Sequence, residues 1–138
     1  MTDSSPSSTE PETHDSRRLI LIVDDEPSVR AMVHASMRVR GPSYRVLEAG
    51  NASEAVAQAR LHQPDLVLLD VALPDHDGFW VCRILKTTPE TAHIRVLMLT
   101  AMSLPSDRDR AVEAGADGYV VKPFSPRALI DEIDRRLS

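Results

Sequence analysis

A single cysteine, Cys82, stands in 138 residues, so no disulfide can close within the chain and a stapled secreted scaffold is excluded. Cysteine usage of this kind predicts a reducing, cytoplasmic setting. Long apolar runs are missing as well. The longest aliphatic stretch is Leu19–Val23, far short of a bilayer span, and the N-terminus has no apolar signal-peptide segment; no membrane insertion is expected. Only five glycines are present, and neither a Gly-x-Gly-x-x-Gly nor a Walker loop follows the first apolar run, which argues against a nucleotide or flavin site. Basic residues are outnumbered 16 to 21, for a net charge of −5. That balance argues against direct nucleic-acid binding, which needs a concentrated basic surface. The five histidines, His14, His34, His62, His76 and His93, show no metal-ligand pairing in their spacing, so zinc is not expected. The length predicts one domain without room for a separate output domain.

What is present divides into a tail and a core. Residues 1–17 hold ten Ser, Thr or Pro and four acids, a composition that cannot repay its ordering entropy by burial. They are expected to form a disordered acidic tail carrying −3 (Asp3, Glu10, Glu12 and Asp15 against Arg17). The remaining −2 belongs to residues 18–138, the expected folded domain.

From Arg18 onward, apolar runs alternate with segments of helical period. Leu19–Val23, Tyr44–Leu47, Leu66–Leu69, Val96–Leu99 and Tyr119–Val121 predict strands, several of them unbroken as in a parallel sheet covered on both faces. Between them, Val29, Met32, Val33 and Met37, then Ala52, Ala55, Val56 and Ala59, and finally Leu129, Ile130, Ile133 and Leu137 recur at helical spacing. Asn51 with Glu54 resembles a capping box, and Ser125 a helix N-cap. Pro27 and Pro126 suit first-turn positions; Gly41 and Gly115 suit helix ends. Strands starting 22 to 30 residues apart predict βαβ units with right-handed crossovers. The fold class is α/β, a (βα)5 three-layer sandwich. Tyr44-Arg-Val-Leu, the most polar strand, belongs at an edge, consistent with a flavodoxin-like order 2-1-3-4-5.

In such a sheet, residues just past the strand C-termini converge. Asp24, Asp25 and Glu26 follow the first strand, Asp70 ends the third, Thr100 the fourth and Lys122 the fifth. Glu26 reads as a first-turn acid favoured by the helix dipole. Each of the others alone has an ordinary reading: a cap, a loop acid, a β-branched strand end, a solvated lysine. Their joint placement at four of five strand ends does not. Clustered carboxylates need a cation or a proton between them, and Mg²⁺ with oxygen ligands suits that need, leaving positions for water and phosphate oxygens. With Lys122 as a second positive charge and Thr100 as a neutral donor, the set describes a site for a phosphoryl group on, or arriving at, a carboxylate.

The segments LILIVDDEPSVR at 19–30, DLVLLDVALPDHDGF at 65–79, VLMLTA at 96–101 and AGADGYVVKPF at 114–124 together resemble the receiver domain of two-component response regulators, including single-domain chemotaxis receivers. The intervals match as well: 30 residues from Asp70 to Thr100, 19 on to Tyr119 and 3 more to Lys122. The resemblance implies that Asp70 is the phosphoacceptor, charged from a sensor histidine kinase or a histidine phosphotransfer protein. It implies Mg²⁺ held by Asp25, Asp70 and the Ala72 backbone carbonyl, with Asp24 acting mainly through a bound water. Lys122 would pair with the phosphoryl oxygens and Thr100 would move to bond one of them. Tyr119 would then rotate, repacking the surface of the fourth helix, fifth strand and fifth helix. A cis peptide is implied at Lys122–Pro123. Such a domain assists its own phosphorylation and dephosphorylation but is not a turnover enzyme, and here it is expected to stand alone and signal to a separate protein target. Pro27, Val29, Arg30, Val33, Pro123 and Phe124 flank the acidic site and are the candidates for kinase docking.

Two departures from the family pattern carry expectations. Ala72 stands where many relatives carry a polar side chain, and Met102, two residues after Thr100, is a flexible thioether; together they would orient no water and partly screen the phosphorus, which predicts a comparatively long-lived phosphorylated form. Gly118 replaces an acid used in the dimer contacts of the winged-helix regulators, leaving homodimerisation through the fourth-helix face open but weakened. Cys82, Met32, Met37 and Met98 read as core, as does Trp80 on balance; His76 reads as a solvated loop residue. The alternative function is an Mg²⁺-dependent aspartyl phosphatase or phosphotransferase of similar fold, whose Asp-x-Asp motif is absent because the acids here are adjacent.

Overall fold

The computed structural model describes residues 17–39, 44–101 and 104–137; the expected tail before Arg17, the helix end at Gly41 and Met102 lie outside them. Five strands, β1 (Arg18–Val23), β2 (Tyr44–Ala49), β3 (Leu66–Asp70), β4 (Arg95–Thr100) and β5 (Gly118–Val121), alternate with five helices. These are α1 (Pro27–Val39), α2 (Ala52–His62), α3 (Gly78–Thr87), α4 (Pro105–Glu113) and α5 (Pro126–Leu137). All pairings are parallel, in the order β2-β1-β3-β4-β5. The polar second strand is at an edge.

The unbroken runs are covered on both faces, as their composition demands. Leu21, Val23, Val67, Leu69, Val96 and Met98 face a core closed by Ala55 and Ala59 of α2 and Phe79, Val81, Cys82 and Leu85 of α3. Ile20, Ile22, Leu66, Leu68, Leu97 and Leu99 face the other, closed by Val33 and Met37 of α1 and Leu129 and Ile133 of α5. Truncating one of the buried Leu, Ile or Met side chains to Ala costs about 2–5 kcal/mol.

Helix boundaries follow local chemistry. Asn51 Oδ1 accepts the Glu54 N–H at 2.8 Å, while Glu54 Oε1 accepts from Gly50 N at 2.6 Å, one residue earlier than a capping box requires. Ser125 Oγ caps α5 through Ala128 N at 3.0 Å. Gly115, at φ +87°, ends the α4 turn where a side chain would be strained. Among the described residues no helix is long and apolar enough to cross a membrane.

Candidate functional site

Sheet register assembles the site. Val23 pairs with Leu69, so the next residues, Asp24 and Asp70, leave neighbouring strands abreast. Thr100 pairs with Val121, and the Lys122 N–H donates to the Thr100 carbonyl at 2.8 Å, which sets Lys122 at the same edge. Asp25, Asp70, Ala72, Thr100 and Lys122 line a cleft of about 500 Å³.

The charges within it are closely arranged. Asp24, Asp25 and Asp70 each bring a carboxylate oxygen within 4.8 Å of the others. Asp24 is fully buried, Asp70 nearly so, and Asp25 exposed. Two like charges at that separation repel by roughly 3–4 kcal/mol at an effective dielectric of about 20. Lys122 Nζ offsets part of this, lying 3.1 Å from Asp24 Oδ2 and 3.3 Å from Asp70 Oδ1. One ammonium against three carboxylates leaves a net negative hollow, rimmed by oxygens and open to solvent through Asp25. Those donors fit a hard divalent cation such as Mg²⁺.

Protonation energetics agree with that reading. Burial first, then the Asp24 charge, raise the Asp70 pKa above the ordinary carboxylate range, although Lys122 and the Ala72 N–H pull the other way. Burial opposes the Lys122 ammonium, but Asp70 and Asp24 outweigh it and raise its pKa. Asp24 Oδ1 is further fixed by the Glu26 N–H at 2.9 Å.

The family model for the response regulator receiver domain matches residues 20–134. The chain belongs to this family. It is 43% identical over 110 residues to the "Probable transcriptional regulator ycf27" of Pyropia yezoensis, covering 80% of this receiver and 43% of that protein. The receiver spans about half the length of the curated relatives it matches. Chemotaxis response regulator CheY4 of Vibrio cholerae superposes with TM-score 0.81 at 31% identity, covering 88% of this chain and 99% of the other. The receiver domain of sensor histidine kinase PA1611 from Pseudomonas aeruginosa, solved with magnesium coordinated in its active-site cleft, gives TM-score 0.79 at 30% identity, with coverages of 88% and 98%. Receivers work by phosphorylation-dependent signalling, take their phosphoryl group from histidine kinases and bind Mg²⁺ at their acidic site. Response regulators and transcriptional regulators, not turnover enzymes, are what this one resembles.

The other expected residues fall into place unevenly. Thr100 is buried at the end of β4. The Lys122–Pro123 peptide bond is cis. Tyr119 is half-buried, its hydroxyl accepting from Arg108 Nη2 of α4 at 2.6 Å, with the Arg108 guanidinium 5.6 Å from the ring centre. Of the docking candidates, Pro27 is exposed, Val29 and Phe124 are half-buried, and Val29, Pro123 and Phe124 line a groove of about 350 Å³ beside the cleft. Val33 has to be withdrawn: it is fully buried against the sheet and no partner can touch it. Arg30 turns its guanidinium to the Asp24 carbonyl and Glu48. Trp80 packs at the margin of the core, as expected, and its ring also stacks on His76 with centroids 3.8 Å apart. Cys82 is buried, and burial pushes its thiol up to about 12.

Two residues that hold the site had no distinguishing signal in the sequence. Asp75 reaches across to α2, where Oδ1 accepts the Ala52 N–H at 2.8 Å and Oδ2 the Ser53 N–H at 3.0 Å; these bonds hold its carboxyl well below the usual range. Gly78 opens α3 so close to the acceptor strand that a Cβ there would lie 2.2 Å from the Asp70 carbonyl oxygen. A glycine with so close a neighbour is visible only in three dimensions.

Proposed function

We propose that this receiver accepts a phosphoryl group on Asp70 from a phosphohistidine of a sensor kinase or phosphotransfer protein. The observation that carries the proposal is the cluster of Asp24, Asp25 and Asp70 with Lys122 bridging two of them. An Asp70 carboxylate oxygen attacks phosphorus in line; the new P–O bond forms as the P–N bond to imidazole breaks, and the imidazole leaves with its electron pair. Mg²⁺, held by Asp25, Asp70 and the Ala72 carbonyl, with Asp24 acting through water, would supply neutralisation of charge on the transferred group. Lys122 would pair with the phosphoryl oxygens and Thr100 would move to hydrogen-bond one of them, so positioning and charge would do most of the catalysis.

Signalling follows from the added charge. A phosphoryl group brings up to about two negative charges, drawing Thr100 and Lys122 inward and shifting the population toward a state with Tyr119 rotated. Tyr119 would have to leave Arg108, so the readout surface is α4, β5 and α5. In the stand-alone reading that surface passes the state to a separate protein in the cytoplasm, without direct nucleic-acid contact, and its pairing with a second copy is a further possible output. The groove of Val29, Pro123 and Phe124, with Pro27 at its rim, is the proposed kinase contact.

Incubation with Mg²⁺ and acetyl phosphate should give one acid-stable, base-labile phosphoryl group, lost on chelation of the metal and absent in Asp70→Asn. Labelling that survives Asp70→Asn would overturn the assignment.

A further inference from the structure

Asp24 and Asp25 are presented very differently. The Asp24 carboxylate has its own anchors, the Glu26 N–H at 2.9 Å and Lys122 Nζ at 3.1 Å. Asp25 is exposed, and among the described residues its side chain has no hydrogen-bond or ion-pair partner. Its direction is therefore set by the backbone that carries it, and above all by the peptide unit joining Asp24 to Asp25.

That backbone is held from the edge strand. The Asp24 N–H donates to the Ala49 carbonyl at the end of β2 at 3.1 Å. The Asp24 carbonyl, which belongs to the Asp24–Asp25 peptide, accepts from Arg30 Nη1 at 2.6 Å. Arg30 is itself fixed: its Nε donates to Glu48 Oε1 of β2 at 2.6 Å, and the other Glu48 oxygen lies 2.6 Å from His34 Nε2. The Arg30 hydrogen bond, and to a lesser degree His34, hold the Glu48 carboxyl below its usual range. Only 20% of the Arg30 side chain is exposed, which leaves little of it for a docking partner.

We propose that Arg30 is a positioning residue of the phosphorylation site, fixing the Asp24–Asp25 peptide from β2 and so aiming Asp25 at the metal. The proposal rests on the reading of the site as an Mg²⁺-dependent phosphoacceptor. The competing explanation is an ordinary ion pair tying α1 to β2, of little effect on stability and no consequence for the metal. Arginine suits the positioning role because its planar fork makes two directed bonds at once; a lysine ammonium on a flexible stem reproduces such a pair poorly.

The test is the Mg²⁺ dissociation constant of the unphosphorylated full chain, measured by calorimetry for wild type, Arg30→Met, Arg30→Lys, Asp25→Asn and the double variant Asp25→Asn with Arg30→Met. Loss of outer contacts that orient metal ligands typically weakens binding about 10- to 100-fold. Arg30→Met should weaken Mg²⁺ binding about 10-fold and Arg30→Lys by less. On the Asp25→Asn background, Arg30→Met should have little further effect, because its route to the metal is already gone. Labelling by acetyl phosphate should drop at limiting Mg²⁺ and largely recover at saturation. An affinity within about twofold of wild type in Arg30→Met, or full additivity in the double variant, overturns the proposal. If Arg30→Met fails to fold, Arg30→Lys and Glu48→Gln decide it: wild-type Mg²⁺ affinity in both overturns it, and weakened affinity in both supports it. Failure of the underlying reading has a separate signature, labelling that persists in Asp70→Asn whatever Arg30 does.

Discussion

Gly78 offers a direct test of how closely helix α3 is seated on the phosphoacceptor. In Gly78→Ala the new Cβ would lie 2.2 Å from the Asp70 carbonyl oxygen and 3.0 Å from both the Asp70 carbonyl carbon and the Val71 Cα. Weak C–H···O contacts settle at about 3.3–3.6 Å, so the start of α3 must retreat from β3 by about 1 Å. The obstacle is backbone on both sides, with no side-chain tip that can swing away. Overpacking of this kind costs about 1–3 kcal/mol, which for a domain of this size lowers the melting temperature by about 4–12 °C at roughly 4 °C per kcal/mol. The same retreat moves the acceptor strand, and a misplacement of about 1 Å can slow a positioned reaction up to about 100-fold. Thermal unfolding and the rate of labelling by acetyl phosphate read the two effects. Two other glycines calibrate the scale. At Gly50 a Cβ would meet only ordinary van der Waals contacts, the nearest 3.7 Å away at Arg30, so Gly50→Ala should stay within about 0.5 kcal/mol of wild type. At Gly118 the nearest atom, 2.7 Å away, is the end of the Arg136 side chain, which can swing aside, so Gly118→Ala should fall between the two. If Gly78→Ala is as stable and as quickly labelled as Gly50→Ala, the close-approach argument is wrong.

Asp75 should matter to stability in a pH-dependent way. Its folded pKa is depressed by the α2 amides, so its contribution is present above the unfolded value of about 3.9 and is lost as pH falls through the folded one. Asp75→Ala should therefore melt below wild type at pH 7, with the gap narrowing below about pH 4. A gap of the same size at pH 7 and pH 3, or no gap at pH 7, refutes the capping role. Ala72→Asn should speed loss of the phosphoryl group by orienting water toward it, measured as decay of label after the donor is removed; an unchanged half-life counts against a protective role for the small apolar side chain.

How much of this was readable in the letters depends on the range of the interaction. Strand identity and order came from unbroken Val, Leu and Ile runs, from regular spacing and from the polarity of Tyr44-Arg-Val-Leu, all of which reflect burial imposed by the sheet itself. The acidic cluster was readable because strand ends in a parallel sheet converge by geometry. Val33 carries two conflicting signals: it lies in the middle of the apolar stripe of α1 and also near the acidic site, and the core claims it. Asp75, Gly78 and the bond from Arg30 to the Asp24 carbonyl are not legible in the sequence for a different reason. Each acts on backbone belonging to another element, and backbone contacts across elements leave no periodicity or spacing in the chain.

The loop between β3 and α3 has a consequence for how stress spreads from the acceptor. Asp75 fastens its middle to α2. Asp77 caps α3 through the Trp80 N–H at 2.9 Å. The Gly78 N–H returns to the Val71 carbonyl at 2.8 Å, with no slack against Asp70. That flank behaves as a stiff abutment. Across the cleft, the Tyr119 hydroxyl is held by a single arginine on an exposed helix face and its ring is only partly buried against the core, a more compliant support. On the proposed mechanism, a load applied at Asp70 would meet that stiff flank first and would be taken up more readily toward β4 and β5, as by a lever with its fulcrum on the α2 and α3 side.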